Sequence, residues 1–158
     1  CSGLEIYGTG CGGFISDPPI YKPKKDPKNS VEFEYESDFD ENGLLFYLGT
    51  NGNTQPYVNP HVSGNVIVKT SVLKENCKHP YQFASRKLKE NITKSHPESF
   101  MMINLIDVRI KVTCYTIGHV SDNENENCLR SWDLEASHDG RAWITIDSQK
   151  NNTLLSQT

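Results

Sequence analysis

The sequence predicts an all-β fold, and three observations carry the prediction. Apolar and polar residues alternate with period two over residues 31–35, 108–113 and 131–137, the pattern of strands with one buried face. Residues 66–72 form a β-branched run, with Val66, Ile67, Val68, Thr70 and Val72, whose stiff side chains suit a pleated sheet. No stretch repeats its apolar residues at the 3.6-residue period of an amphipathic helix. Several short strands separated by turn signals point to a β-sandwich or barrel.

The elements follow in chain order. Leu4-Glu5-Ile6-Tyr7, bounded by Gly3 and Gly8, is a short strand-like piece over residues 1–9. Residues 10–30 are rich in Gly, then in Pro and Lys, which is linker composition. The main domain is expected over residues 31–158. It opens with the alternating Val31-Glu32-Phe33-Glu34-Tyr35. Residues 44–48 are a continuous apolar run, closed by Gly49-Thr50-Asn51-Gly52, where the Asn-Gly pair signals a turn. Gly64 introduces the strand at 66–72, and residues 76–97 read as a long surface loop with one short helix near 83–89. Residues 100–105 and 108–115 are further strands, and residues 121–127 form an acidic, Asn-rich loop. Residues 131–137 and 142–146 make a hairpin around the His138-Asp139-Gly140 turn.

Composition narrows the function. The 158 residues fit one domain large enough to bury a core. With 35% hydrophobic residues, seven Tyr, six Phe and two Trp, the chain should fold rather than stay disordered. Sixteen basic against twenty acidic residues give a net charge of −4, with acids gathered in Glu32, Glu34, Glu36, Asp38, Asp40 and Glu41. Nucleic acid is therefore not an expected partner. No apolar run approaches the ~20 residues a membrane span needs, and no signal peptide is visible. The five cysteines, Cys1, Cys11, Cys77, Cys114 and Cys128, are odd in number and contain no C-x-x-C pair. They read as free thiols, hence a cytoplasmic protein. Two sequons, at Asn91 and Asn151, point weakly the other way.

The hairpin carries a specific resemblance. Leu129-Arg130-Ser131-Trp132, then Ser137, Asp139-Gly140 and Trp143, are similar to the L-R-N-W-x-x-x-x-S-x-D-G-x-x-W signature of the discoidin, or coagulation factor 5/8 type C, superfamily. The segments Phe39-Asp40-Glu41-Asn42-Gly43, Gly49-Thr50-Asn51-Gly52, Asn59-Pro60, Gly64-Asn65-Val66-Ile67-Val68 and Met102-Ile103-Asn104-Leu105 follow the order of its intracellular branch, found in HECT-type ubiquitin ligases and BTB proteins. The likeness covers about residues 39–155. It implies a galactose-binding-like β-sandwich, a jelly roll, that is incomplete or permuted at its termini. The family's closing strand resembles Gly3-Leu4-Glu5-Ile6-Tyr7-Gly8, which here stands first. A slice across tandem repeats explains this better than a circular permutation, because the residues of a full copy appear at neither end. An open edge left by the missing strand would invite strand-swapped homo-oligomers.

The resemblance also implies that loops at one end of the sandwich bind the ligand, here residues 49–60, 77–99 and 120–128. The candidate binding residues are Asn53, Gln55, Tyr57, Arg86, His119 and Arg130. Tyr115-Thr116-Ile117-Gly118-His119 lacks the arginine of the family's corresponding motif, which weakens a contact there. Arg86 and Arg130 fit buried ion pairs as well as ligand contacts. Trp132 and Trp143 are expected to pack the hairpin's core rather than stack on a ligand, Trp132 being in phase with Leu134 and Ala136. Cys114, His119, Cys128 and His138 lack compact zinc-ligand spacing, and alternate acids of the 32–41 run face opposite sides of a strand, unlike a calcium site. Neither metal nor cofactor is expected. No nucleophile stands beside a base, so the chain reads as a binding module for a protein partner. The alternative is a carbohydrate-binding module using Tyr57, Asn53 and Gln55.

Overall fold

The computed structural model describes residues 3–12, 30–75, 77, 79–87, 92–118 and 129–156. It is all-β, with three antiparallel sheets and little helix. The strands are β1 (Gly3–Gly12), β2 (Val31–Phe33), β3 (Ile67–Thr70), β4 (Met101–Asn104), β5 (Val108–Gly118), β6 (Trp132–Ala136) and β7 (Ile144–Gln149). One helix, α1 (Leu44–Gly49), and 3-10 helices at Pro80–Ala84 and Leu154–Ser156 complete the described elements. The sheets run β2-β1-β5, β3-β4 and β6-β7.

β1 is the central strand of the first sheet. It pairs with β5 along its whole length, from Gly3↔Gly118 to Gly12↔Val108, and with β2 over only three residues, Gly8↔Phe33 to Gly10↔Val31. The register shifts after Tyr7, where Gly8 adopts φ 144° and a Cβ would lie 2.0 Å from the Lys111 carbonyl oxygen. Only glycine fits that bulge. The strand runs on to Gly12, past the expected boundary at residue 9 and into what composition marked as linker. The rest of that Pro- and Lys-rich segment, residues 13–29, lies outside the described residues.

The main apolar cluster joins Leu4 of β1, Phe33 of β2, Leu44, Leu45 and Leu48 of α1, Val66 and Val68 at β3, Phe83 and Val108. Burial of these side chains supplies the main driving force for folding. Residues 44–49 are helical, which the absence of helical periodicity did not foresee. Leu44, Leu45 and Leu48 are all buried, so the turn has no polar face to create a period. Asn51 and Gly52, both at positive φ, do make a turn, but they close α1: the Gly52 N–H donates to the Tyr47 carbonyl. The helix expected near 83–89 is instead the 3-10 helix Pro80–Ala84, begun by Pro80.

The expected long loop is tied at its base, where Leu73 bridges Thr93, Lys74 N–H donates to Ile92 O and Lys94 N–H to Val72 O. In the hairpin, Trp132, Leu134 and Ala136 do share a half-buried face, with Asp133 and Glu135 exposed. Trp132 is thus half-buried rather than fully enclosed. Trp143 precedes β7 and is 43% exposed, which corrects its expected place in the hairpin's core. The strand starts at Ile144, two residues later than that reading assumed, so Trp143 belongs to the turn.

Candidate functional site

Helix α1, the loop that follows it and the 3-10 helix are fixed by a contact that begins in β1. Glu5, 1% exposed, sits opposite Thr116 in the sheet, and its carboxylate reaches the start of α1. Oε1 accepts the Leu45 N–H at 2.6 Å and the Ile6 N–H at 3.1 Å, while Oε2 accepts the Phe46 N–H at 3.0 Å. Gly43, the residue before the helix, offers no side-chain cap. The acid from a strand some forty residues away takes that role, satisfying amides that the helix cannot satisfy itself. A Cβ on Gly43 would fall 2.2 Å from the Glu5 side chain, so glycine is what lets the carboxylate approach.

Arg86 completes the cluster. Its Nη1 lies 3.7 Å from Glu5 Oε2 and donates to the Asp40 carbonyl at 2.7 Å, and its Nη2 donates to the Phe39 carbonyl. The guanidinium carbon stands 4.9 Å from the centre of the Phe46 ring. Phe46 in turn stacks with Tyr57 at 5.8 Å, and Tyr57 Oη donates to the Ala84 carbonyl at 2.9 Å. Asn59 Nδ2 donates to the Tyr81 carbonyl at 3.0 Å, and Asn65 Nδ2 to Leu48 O at 2.7 Å. Thus the 49–60 loop, α1 and the 3-10 helix form one hydrogen-bonded platform, the arrangement of loops on a scaffold that recognition sites commonly use.

Burial pushes the Glu5 carboxyl up to about 7, against the opposing pull of the three amides and Arg86. Burial, with the Glu5 charge beside it, pushes Tyr57 up to about 12. Burial also raises Asp40, but the Ser37, Glu36 and Asn42 N–H groups outweigh it and hold that carboxyl below its ordinary value. Asp40 therefore shapes the acidic 36–42 loop. Beside the platform, the rings of His61 and Tyr81 stack at 6.0 Å and those of His79 and Tyr81 at 5.1 Å. His61 Nδ1 accepts the Val68 N–H, which fixes its tautomer with the proton on Nε2.

Of the sequence candidates, Asn53, Gln55 and Tyr57 lie on the loop that follows α1, and Tyr57 and Arg86 both contact the Phe46 ring. Asn53 and Gln55 are exposed, and the Asn53 side chain accepts from Thr50 Oγ1. Tyr57 is half-buried, with its hydroxyl given to Ala84 and its ring set against Phe46. The Arg86 guanidinium is turned inward onto Glu5 and two carbonyls. Arg130 stands apart, at the base of the β6–β7 hairpin, where its carbonyl accepts the Asn152 N–H. His119 lies outside the described residues, as does the 120–128 loop. Glu5 and Phe46, the centre of the platform, were missed by sequence reading. The available signal was a lone acid within the apolar segment Leu4-Glu5-Ile6-Tyr7.

Among the described residues, Cys11, Cys77 and Cys114 form no disulfide, and no group of three His, Cys, Asp or Glu side chains could hold a metal ion. Cys1 and Cys128 lie outside them. No helix among the described residues is long and apolar enough to cross a membrane.

No family model matches the chain, and no solved structure does. Curated proteins do, among them two ubiquitin ligases. The chain is 32% identical over 140 residues to the E3 ubiquitin-protein ligase Ufd4 of Drosophila melanogaster, covering 85% of this chain. It is 31% identical over 121 residues to the E3 ubiquitin-protein ligase hecd-1 of Caenorhabditis elegans, covering 74% of this chain. The chain spans only 5% and 4% of the lengths of those two proteins. It is homologous to a small segment of large ubiquitin ligases.

Proposed function

We propose that this chain is a non-catalytic recognition module of a large intracellular ubiquitin ligase of the HECT type, with a discoidin-like, galactose-binding-like sandwich fold, and that it binds a protein partner. The observation that carries the reading is the platform held by Glu5 and Arg86. Its inner charged groups are committed to the protein itself, and its outer surface offers amides and apolar side chains. Asn53, Thr54, Gln55 and Pro56 are exposed there, with Val58 at 47% and Val62 at 63% exposure. An exposed apolar group rimmed by neutral polar groups is the composition of a protein contact surface. The homology to a small part of ubiquitin ligases supports the same reading, because a module of this size in so large a protein fits the task of holding a partner near a separate catalytic unit.

The test is a pair of screens on the folded chain, one against an array of purified proteins and one against a glycan array. A protein ligand retained by wild type and lost by Val58→Glu with Val62→Glu, both variants keeping the wild-type circular dichroism, is the expected result. A protein ligand indifferent to these changes would move the site elsewhere. Glycan binding abolished by Tyr57→Ala would replace the protein-binding reading with a carbohydrate-binding one.

A further inference from the structure

β1 is held almost wholly by parts of the chain distant in sequence. Its full ten residues pair with β5, about a hundred residues away, whereas its sequence neighbour β2 contributes three pairs. The side-chain hold is equally remote: Glu5 binds the Leu45 and Phe46 amides and faces Arg86, and Tyr7 is fully buried with its hydroxyl directed at the Ser37 carbonyl. Between β1 and β2 stand residues 13–30, eighteen in number, although Gly10 and Val31 are direct partners and a hairpin needs only about two to five loop residues. The connection is far longer than the gap requires.

From these observations we infer that the groove between β2 and β5 is a strand-acceptor site, and that it takes the Gly3–Gly12 segment of a second copy of this chain in place of its own. What the groove recognises is an extended apolar segment with a glutamate placed to cap α1, a tyrosine two residues later and then a glycine for the bulge. A reciprocal exchange fills both grooves with unchanged contacts, so only the entropy of association opposes it. A linker of eighteen residues treated as a random coil would have a root-mean-square span of about 20–25 Å, which would give the chain's own strand an effective concentration in the millimolar range. Exchange therefore competes at comparable protein concentration, or when strands are released and recaptured during refolding.

The experiment uses the full chain. It is refolded from denaturant at about 10 µM and at about 1 mM, and the mass is read by light scattering after separation by size. In parallel, a fluorescent peptide of residues 1–12 is added during refolding, beside the same peptide carrying Glu5→Lys. Expected are monomers from the dilute sample, dimers from the concentrated one, and peptide capture at least about tenfold weaker for the lysine form. Monomers at both concentrations would remove the second copy as occupant. Equal capture of the two peptides, or of neither, would overturn the acceptor site.

Discussion

Glu5 is the residue on which most of the described architecture turns. It is ionisable, nearly inaccessible, and placed on the middle strand of the main sheet, so its protonation is coupled to folding. Its carboxyl titrates near 7 in the folded protein against 4.5 as its ordinary value, and burial is the main cause. A folded-state pKa raised above the unfolded value means that the folded protein keeps a proton the unfolded chain has released. This contribution to stability is complete below about pH 4.5 and is lost as the pH rises through 7. Wild-type stability should therefore carry a downward slope across this window that Glu5→Gln lacks. Urea unfolding at pH 5, 6, 7 and 8 checks it, and parallel profiles for the two proteins would contradict the assignment.

At the scale of elements, two connections decide how strands are presented. Residues 105–107 join β4 to β5 without a glycine, and Ile106 takes φ 60°, a left-handed conformation that a β-branched residue adopts only under strain. The Asn104 Oδ1 accepts its N–H and Val108 N–H donates to Leu105 O, which hold the turn. Asparagine tolerates that backbone, and Ile106 is already 48% exposed. Ile106→Asn should therefore raise stability by about 0.5–1 kcal/mol, seen as a higher midpoint in a denaturant melt. The second connection is polar. Trp132 Nε1 donates to Tyr115 Oη at 2.9 Å, and Tyr115 Oη donates to Asp147 Oδ2 at 2.5 Å. One hydroxyl thus ties both strands of the β6–β7 hairpin to β5. Tyr115→Phe leaves two groups without their partner and should cost about 1–3 kcal/mol, with the Trp132 fluorescence shifted toward that of a more exposed indole.

Across the whole molecule, stability is unevenly spread. The β2-β1-β5 sheet surrounds a strand paired on both sides and packed against α1, whereas the hairpin exposes Trp143, Ile144 (66%) and Ile146 (43%). Local opening follows such differences in burial. Backbone amides of β1 that pair with β5 should exchange with solvent only on global unfolding. Those of β6 and β7 should exchange at lower free energy, and hydrogen-exchange mass spectrometry resolves the two. Equal protection of hairpin and sheet would show that the hairpin's apolar face is covered in solution.

The sequence by itself determined the strands and their order of appearance. Alternation at 31–35, 108–113 and 131–137 follows from the two-residue repeat of a pleated strand, which is a local property. The positive-φ turns at Asn51, Gly52 and Gly140 were equally legible, because the steric freedom of glycine and asparagine needs no tertiary partner. The 49–60 loop and the segment that holds the 3-10 helix were named from resemblance, and Asn53, Gln55, Tyr57 and Arg86 fall within them. What only the tertiary structure decided is how those loops are held. Residues 44–49 become a helix because a carboxylate from β1 caps their amides, and β1 finds its place through partners on β5. Arg86 turns inward because Glu5 and two carbonyls await it. Each of these depends on groups about forty to a hundred residues apart, and no local period or propensity encodes a meeting at that distance.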